Sequence, residues 1–455
     1  MIDNLHVTMH FPPGFLWGTA TAAHQVEGGN HNNWSAWEAL GGGRIYQDQV
    51  SGAACEWWAG RAEEDFDRAA SLHNNALRLS IEWSRVEPEP GRWDTSALDR
   101  YRAMIEALHA RGLQPMVTLY HFTHPLWLDE RGAWLDEDTP QRFGRFAARV
   151  AEALGDRVTL YCTLNEPMVY SVLSYLSGKW PPGHHRLGEA LRVMTGLVRG
   201  HVAAYHAIKA VHPAAQVGFA KHQISFAPGT PVIGHLGARL LNYAFNEAIF
   251  APFNGQRLWL PGGAVRIPEA RGTLDWIGLQ YYARQTVYFD PWSGEPGGLV
   301  LGVPEGRPRG PKDWGELAPE QALPRIKHLY RLVRRPIYIT EMGVPDVDDS
   351  IRPGYLARTL RAVWRACMHS LPVRGFFYWS LVDNFEWAEG YDPCYRFGLF
   401  GVDFDTQARM ERRSARLYRA ICAANALTTE AVRQHAPEAF EDLFPVPPVA
   451  APAAG

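Results

Sequence analysis

The chain has 455 residues, a formal net charge of −3 and a charged fraction of 20%, with no run of like charges, a balance that argues against nucleic acid or an anionic membrane as the main partner and favours a neutral small molecule. No segment reaches the roughly 18 uninterrupted apolar residues of a membrane span, and the N-terminal MIDNLHVTMHFPPGF has no basic stretch followed by an apolar one, so a soluble cytoplasmic protein is expected. The five cysteines (Cys55, Cys162, Cys367, Cys394, Cys422) are scattered without CxxC spacing, which predicts buried reduced thiols rather than a disulfide framework or a structural zinc site.

In chain order, FLWGTATA (15–22) reads as a first strand and is followed by a long insertion at 23–60. AEEDFDRAASLHN (62–74) repeats apolar residues at three and four and predicts a helix, and ALRLSIE (76–82) predicts the second strand. The helix TSALDRYRAMIEALHARG (95–112), the strand QPMVTLYH (114–121), the helix PQRFGRFAARVAEALG (140–155) and the strand VTLYCTLN (158–165) continue the alternation. Further strands follow at QVGFAKH (216–222), LDWIGLQYY (274–282), PIYITE (336–341) and VRGFFYWSL (373–381). There is no internal repeat of fixed period.

Strands alternating with helices imply a parallel sheet, and near-continuous apolar strands imply a sheet covered on both faces. Eight βα units close most simply into a (β/α)₈ TIM barrel. A doubly wound open sheet is the alternative, but no GxGxxG follows the first strand. A bare barrel needs about 250 residues, so roughly 200 must sit in enlarged loops. The insertions at 23–60, 165–190, 223–270 and 283–320 each follow a strand and precede its helix, which places them on the carboxyl-terminal face where barrel enzymes keep their sites. One catalytic domain over 1–443 is expected, with FPVPPVAAPAAG (444–455) as a Pro/Ala-rich disordered tail.

Two strands end in a carboxylate followed by a chain breaker: YCTLNEP (161–167) delivers Glu166 and YITEMG (338–343) delivers Glu341. In a closed barrel the fourth and seventh strands face each other across the mouth, so both side chains point into one cleft. A lone strand-end Glu is as readily a salt-bridge partner; a facing pair is the minimum equipment for glycoside hydrolysis, in which one carboxyl protonates the leaving oxygen and the other attacks the anomeric carbon or activates water. The apolar Pro167, Met168 and Val169 are expected to desolvate Glu166 and keep its proton, whereas Arg78 is expected to hold Glu341 ionised. Direct attack by Glu341 requires the two carboxyls about 5 Å apart.

With FLWGTATAAHQVEG (15–28), RLSIEWSRVEP (78–88), TLYHFTHPLWL (118–128), TLNEP (163–167), IGLQYY (277–282), YITEMG (338–343) and GFFYWSLVDNFEWAEGYDPCYRFGLFGVDF (375–404) in this order, the chain resembles a family 1 glycoside hydrolase of the β-glucosidase type over about residues 11 to 425. The resemblance implies a retaining β-glycosidase with Glu166 as acid/base and Glu341 as nucleophile. It also implies that Asn165 hydrogen-bonds the sugar 2-hydroxyl, that Gln25, His121, Glu386 and Trp387 hold the glycone hydroxyls, that Trp379 lies under the ring, and that Tyr282 and Arg78 support the nucleophile. Taken alone, His121 reads equally as a core histidine and Trp379 as a barrel-filling residue. Glu386 stands better by itself, because DNFEW sets a charge among aromatics where an idle Glu is costly.

The family commonly has Asn where this chain has Met342 and Gln280, and Trp where it has Phe122. Its phospho-sugar members carry a Ser/Lys/Tyr set in the last loop that NFEWAEGYDPCYRFG lacks, so unphosphorylated β-glucosides are expected, with β-galactosides and β-fucosides beside them. No cofactor or metal is implied: His184 and His185 read as a loop pair, and His201 with Tyr205 as helix packing. The partner is a small-molecule β-glycoside, with neither nucleic acid nor membrane, and no oligomeric state is assigned. The rival from another class, a non-catalytic sugar-binding relative, would lack one of the two glutamates.

Overall fold

The computed structural model describes residues 6–260, 263–312 and 314–445. Its centre is a closed barrel of eight parallel strands in chain order: β1 (Leu16–Ala20), β2 (Ala76–Ser80), β3 (Gln114–Tyr120), β4 (Leu160–Asn165), β5 (Gln216–His222), β6 (Trp276–Gln280), β7 (Ile337–Met342) and β8 (Val373–Trp379). Each coincides with an expected strand, shortened where the ladder ends before the apolar run does. Strand β8 returns to β1, with Gly375 opposite Leu16 and Trp379 opposite Ala20. That pairing removes the open-sheet alternative.

The outer layer contains α1 (Ala62–Ser71), α2 (Thr95–His109), α3 (Thr139–Leu154), α4 (Leu187–Val211), α5 (Ile233–Leu241), α6 (Ala322–Val333), α7 (Arg352–Met368) and α8 (Arg413–Ala424). Local chemistry sets their ends. The Asp94 carboxylate caps α2 by accepting from the amides of Ser96 at 2.9 Å and Ala97 at 3.1 Å. Helix α3 stops at Gly155, whose φ of +59° suits glycine. Its apolar stripe, Phe143, Phe146, Ala147, Val150 and Leu154, is wholly buried. His201 of α4 is packing, as expected: Nδ1 lies 2.6 Å from Thr163 Oγ1 on β4 and Nε2 2.6 Å from the Thr273 carbonyl, and burial pushes its pKa down to about 4.

Helix α5 departs from the barrel pattern. It lies on a three-stranded sheet made by Ser225–Pro228, Arg284–Phe289 and Leu299–Gly302, with Gly237 close against Leu299 and Val287. The insertions at 223–270 and 283–320, expected as loops, therefore pair with one another. Between β5 and β6 the barrel is covered instead by Phe250 and Phe253, whose rings sit 5.9 and 5.5 Å from that of Phe219.

Two expectations need correction. Phe444, assigned to the tail, is buried with its ring 5.3 Å from that of Phe440; residues 446–455 lie outside the described residues. All five cysteines are unpaired, but Cys394 is exposed and Cys367 half-buried, because both sit on surface elements rather than in the barrel wall. His184 contacts Glu189 at 2.6 Å. Among the described residues no helix is long and apolar enough to cross a membrane, and no cluster of three or more His, Cys, Asp or Glu could hold a metal ion.

The long segment after β8 folds back over the barrel mouth and is pinned by one buried carboxylate. Asp383 accepts two hydrogen bonds from the Arg412 guanidinium, both at 2.8 Å, and one from the Gly398 amide at 2.9 Å. Replacing Asp383 by Ala leaves that guanidinium in a mostly buried setting with the Gly398 carbonyl but no carboxylate, and should cost about 3–5 kcal/mol in urea unfolding. The double variant with Arg412→Leu should lose less than the sum of the two single changes, as a double-mutant cycle would show.

Candidate active site

At the carboxyl-terminal ends of the strands lies a cavity of about 180 Å³. Its wall includes His121, Asn165, Glu166, Tyr282, Glu341, Trp379, Glu386 and Trp387. Both sequence-identified carboxylates and most of their expected helpers are thus in one place. Arg78 and Gln25 are fully buried beside it, in contact with Glu341 and Glu386 respectively. Larger clefts, of about 480 Å³ beside Arg192 and Arg199 and about 520 Å³ beside Arg358 and Arg361, open between outer helices and loops, away from the strand ends.

Glu341 occupies the penultimate position of β7. The glycine two residues later is a packing necessity: a Cβ on Gly343 would lie 2.0 Å from the Trp379 carbonyl oxygen. Glu166 follows β4 directly and opens the short helix Pro167–Tyr175, with left-handed φ +43° and ψ +58°. Its amide donates to the Ala220 carbonyl at 3.0 Å, and its carbonyl accepts from the Tyr170 amide at 3.1 Å. Phe122 (φ +70°) and Trp387 (φ +49°) on the same wall are also left-handed, so three lining residues hold a conformation that costs a side-chain-bearing residue energy.

Arg78, fully buried on β2, organises the floor. Its guanidinium donates to Glu341 Oε1, to Asn165 Oδ1 at 2.7 Å, to Thr118 Oγ1 at 3.1 Å and to the Thr340 carbonyl at 3.3 Å. The Tyr282 hydroxyl donates to the other Glu341 oxygen at 2.7 Å. Gln280, where the family commonly has Asn, donates to Asn165 Oδ1 at 2.8 Å. With Oδ1 occupied twice, the Asn165 amide nitrogen is the group left to donate into the cavity. Met342, another departure, is buried opposite Tyr378 and leaves these contacts intact.

The opposite end is a set of polar atoms among rings. Gln25 Nε2 donates to the Phe385 carbonyl at 2.8 Å, Asn384 Oδ1 at 3.1 Å and Glu386 Oε2 at 3.2 Å, while Gln25 Oε1 is buried without a partner. His121 Nδ1 is likewise buried and unpartnered, and burial beside the Arg78 charge pushes that imidazole well below its usual pKa, so it stays neutral. The His121 ring stacks 5.8 Å from Trp387 at 20° and lies 6.0 Å from Trp379. Unsatisfied acceptors and donors of this kind are matched by a polyhydroxylated ligand. Glu386 faces the cavity from a deep setting, and burial, reinforced by the Glu341 and Glu389 charges, raises its pKa well above the carboxylate range.

The expectation that Arg78 keeps Glu341 ionised needs correction. Burial pushes Glu341 up to about 7 against the pull of Arg78 and the Tyr282 hydrogen bond, and the Glu166 charge adds to the rise. Arg78 alone therefore does not hold Glu341 ionised at low pH. Glu166 has a polar neighbour that Pro167, Met168 and Val169 did not foreshadow: His222 Nδ1 lies 2.9 Å from its Oε1. Sequence pattern singled out neither His222 nor the apolar lining residues Leu173, Trp180, Trp314 and Phe397. The only signal for His222 was a polar pair, Lys221–His222, ending an otherwise apolar strand.

Residues 7–253 and 265–427 match the family model described as glycosyl hydrolase family 1. The chain is 31% identical to β-glucosidase A of Thermotoga maritima, over 92% of this chain and 98% of that protein. It is 30% identical to a β-galactosidase of Saccharolobus solfataricus, over 96% and 98% respectively. Among solved structures, a β-glycosidase from Pyrococcus horikoshii superposes with a TM-score of 0.86 at 34% identity, covering 94% of this chain and 98% of that one.

In a carbon-13 NMR titration of labelled glutamate side chains, Glu341 should protonate near pH 7. Tyr282→Phe removes a donor that favours the carboxylate and should move that midpoint to higher pH.

Proposed function

The chain belongs to glycosyl hydrolase family 1, and on that premise we propose that it hydrolyses terminal non-reducing unphosphorylated β-D-glucosides, and related β-D-galactosides and β-D-fucosides, with retention through a covalent glycosyl-enzyme intermediate. The observation that carries this reading is the shared cavity in which Glu166, at the end of β4, faces Glu341 on β7 while Arg78 and Tyr282 engage both oxygens of Glu341.

In the first step Glu341 attacks the anomeric carbon while Glu166 gives its proton to the departing oxygen. Above about pH 7 Glu341 is ionised, and the donors from Arg78 and Tyr282 aim its oxygens. Once Glu341 is esterified its charge is gone, which eases loss of the Glu166 proton, and Glu166 then serves as base for water. Asn165, with Oδ1 held by Arg78 and Gln280, donates from its amide to the sugar 2-hydroxyl, a contact that strengthens as the ring flattens toward the oxocarbenium ion.

Gln25, His121, Glu386 and Trp387 bind the remaining hydroxyls, and Trp379 lies under the ring. The polar atoms at that end are the free acceptor of Gln25, the free nitrogen of His121 and the Glu386 carboxyl. Since the charges that act on Glu386 are those of the Glu341 and Glu389 carboxylates, a phosphate there would meet repulsion. The relative named a β-galactosidase supports an axial 4-hydroxyl as a second accepted substrate. A cytoplasmic site of action belongs to the same reading, supported by five unpaired thiols.

Proton NMR of the first product should show the β-anomer; α-glucose appearing first would overturn retention. Glu341→Gly should lower kcat/KM by at least about a thousandfold, and added azide should restore cleavage of an activated glucoside and yield the α-glucosyl azide. A 6-phosphorylated β-glucoside should turn over at least about a hundredfold less efficiently than its parent.

A further inference from the structure

We propose that His222 is a positioning residue for the acid/base carboxyl of Glu166: its imidazole holds one carboxyl oxygen, Oε1, and thereby leaves the proton to be exchanged on the other. The proposal rests on the role assigned to Glu166 above. His222 Nδ1 lies 2.9 Å from Glu166 Oε1. Among the described residues it is the only side chain hydrogen-bonded to that carboxyl. Glu341, by contrast, is gripped at both oxygens.

Both partners are fixed from the backbone upward. Strands β4 and β5 pair with Asn165 opposite Ala220, and the Glu166 amide donates to the Ala220 carbonyl at 3.0 Å, so Glu166 and His222 leave adjoining strand ends in fixed register. The imidazole is clamped as well as placed. It stacks on Tyr282 with ring centres 5.7 Å apart at 16°, and meets the Phe245 ring edge-on at 5.9 Å and 86°. Tyr282 is the donor to Glu341, so a single ring stack ties the surroundings of one carboxyl to those of the other.

The donor type suits a group that must be an acid in one step and a base in the next. With its hydrogen on Nδ1, the imidazole donates to Oε1 whether Glu166 is protonated on Oε2 or ionised, and it takes no part in the transfer. The transferred proton moves from Glu166 Oε2 to the glycosidic oxygen as the C1–O bond breaks, and in the second step from water to Oε2 as the ester at Glu341 is hydrolysed. A permanently charged donor in this place would favour the carboxylate and oppose the first transfer. The adjacent Lys221 is kept from that place. It is fully buried, its Nζ donates to the His222 carbonyl and stands 4.3 Å from the centre of the Phe245 ring, and burial pushes its pKa down to about 7.

A residue that merely packs between Tyr282 and Phe245 would affect all substrates alike, whereas one that positions the acid matters in proportion to how much the leaving group needs a proton. The test is kcat/KM of the full chain and of His222→Phe, His222→Asn and Glu166→Ala on methyl, 4-nitrophenyl and 2,4-dinitrophenyl β-glucosides. His222→Phe keeps the ring and loses the donor. It should lose about ten- to a hundredfold on the methyl glucoside and less than about threefold on the dinitrophenyl glucoside. His222→Asn, whose amide nitrogen can stand where Nδ1 does, should recover the methyl glucoside to within about threefold of the parent. Equal losses on all three substrates, no loss on any, or an Asn variant as impaired as the Phe variant would each overturn the proposal. Should His222→Phe fail to fold, His222→Ala against His222→Asn gives the same comparison. A Glu166→Ala variant whose loss does not depend on the leaving group would overturn the reading of Glu166 itself, whichever way the His222 variants behave.

Discussion

A guanidinium sealed inside a barrel has to be satisfied by what the strands around it carry, and Arg78 is the charge on which this site is built. It rises from β2 and reaches β3 through Thr118, β4 through Asn165 and β7 through Glu341. Leaving any of these bonds unmade would strand a polar group without water, so the three strands are held to one relative position at their ends. The planar fork matters: one nitrogen aims the Glu341 carboxylate while another aims the Asn165 amide. A lysine could satisfy the charge but not the two directions at once.

The same constraint explains why the two carboxyls differ in their contacts. Glu341 has donors on both oxygens and deep burial that work against each other, whereas Glu166 sits nearer the opening with one imidazole beside it. Glu386 adds a third carboxyl at the far end of the same cavity.

The barrel was legible because a parallel strand covered on both faces has to be apolar at every position, and the eight runs stand out against the turn residues around them. The Glu166 and Glu341 pair was legible because Pro167 and Gly343 interrupt two of those runs one and two residues beyond a glutamate. What escaped notice depends on contacts across the fold. His222 meets Glu166 from another strand, Trp314 and Phe397 reach the cavity from long connections, and the sheet under α5 joins strands from two insertions. Gln280 appeared as a departure from the family pattern, yet its amide still bonds Asn165. A substitution read along the chain says which atom changed, and only the folded register says whether the bond survived.

The left-handed backbones of Phe122, Glu166 and Trp387 carry a further consequence for anyone engineering this molecule. Each is held on the order of 1–3 kcal/mol above a relaxed conformation. Glycine or asparagine at Phe122 would relax the chain and harden the fold against heat while taking away a ring that shapes the sugar pocket. Gains in durability are therefore better sought among the outer helices, where the backbone is already at ease and nothing touches the substrate.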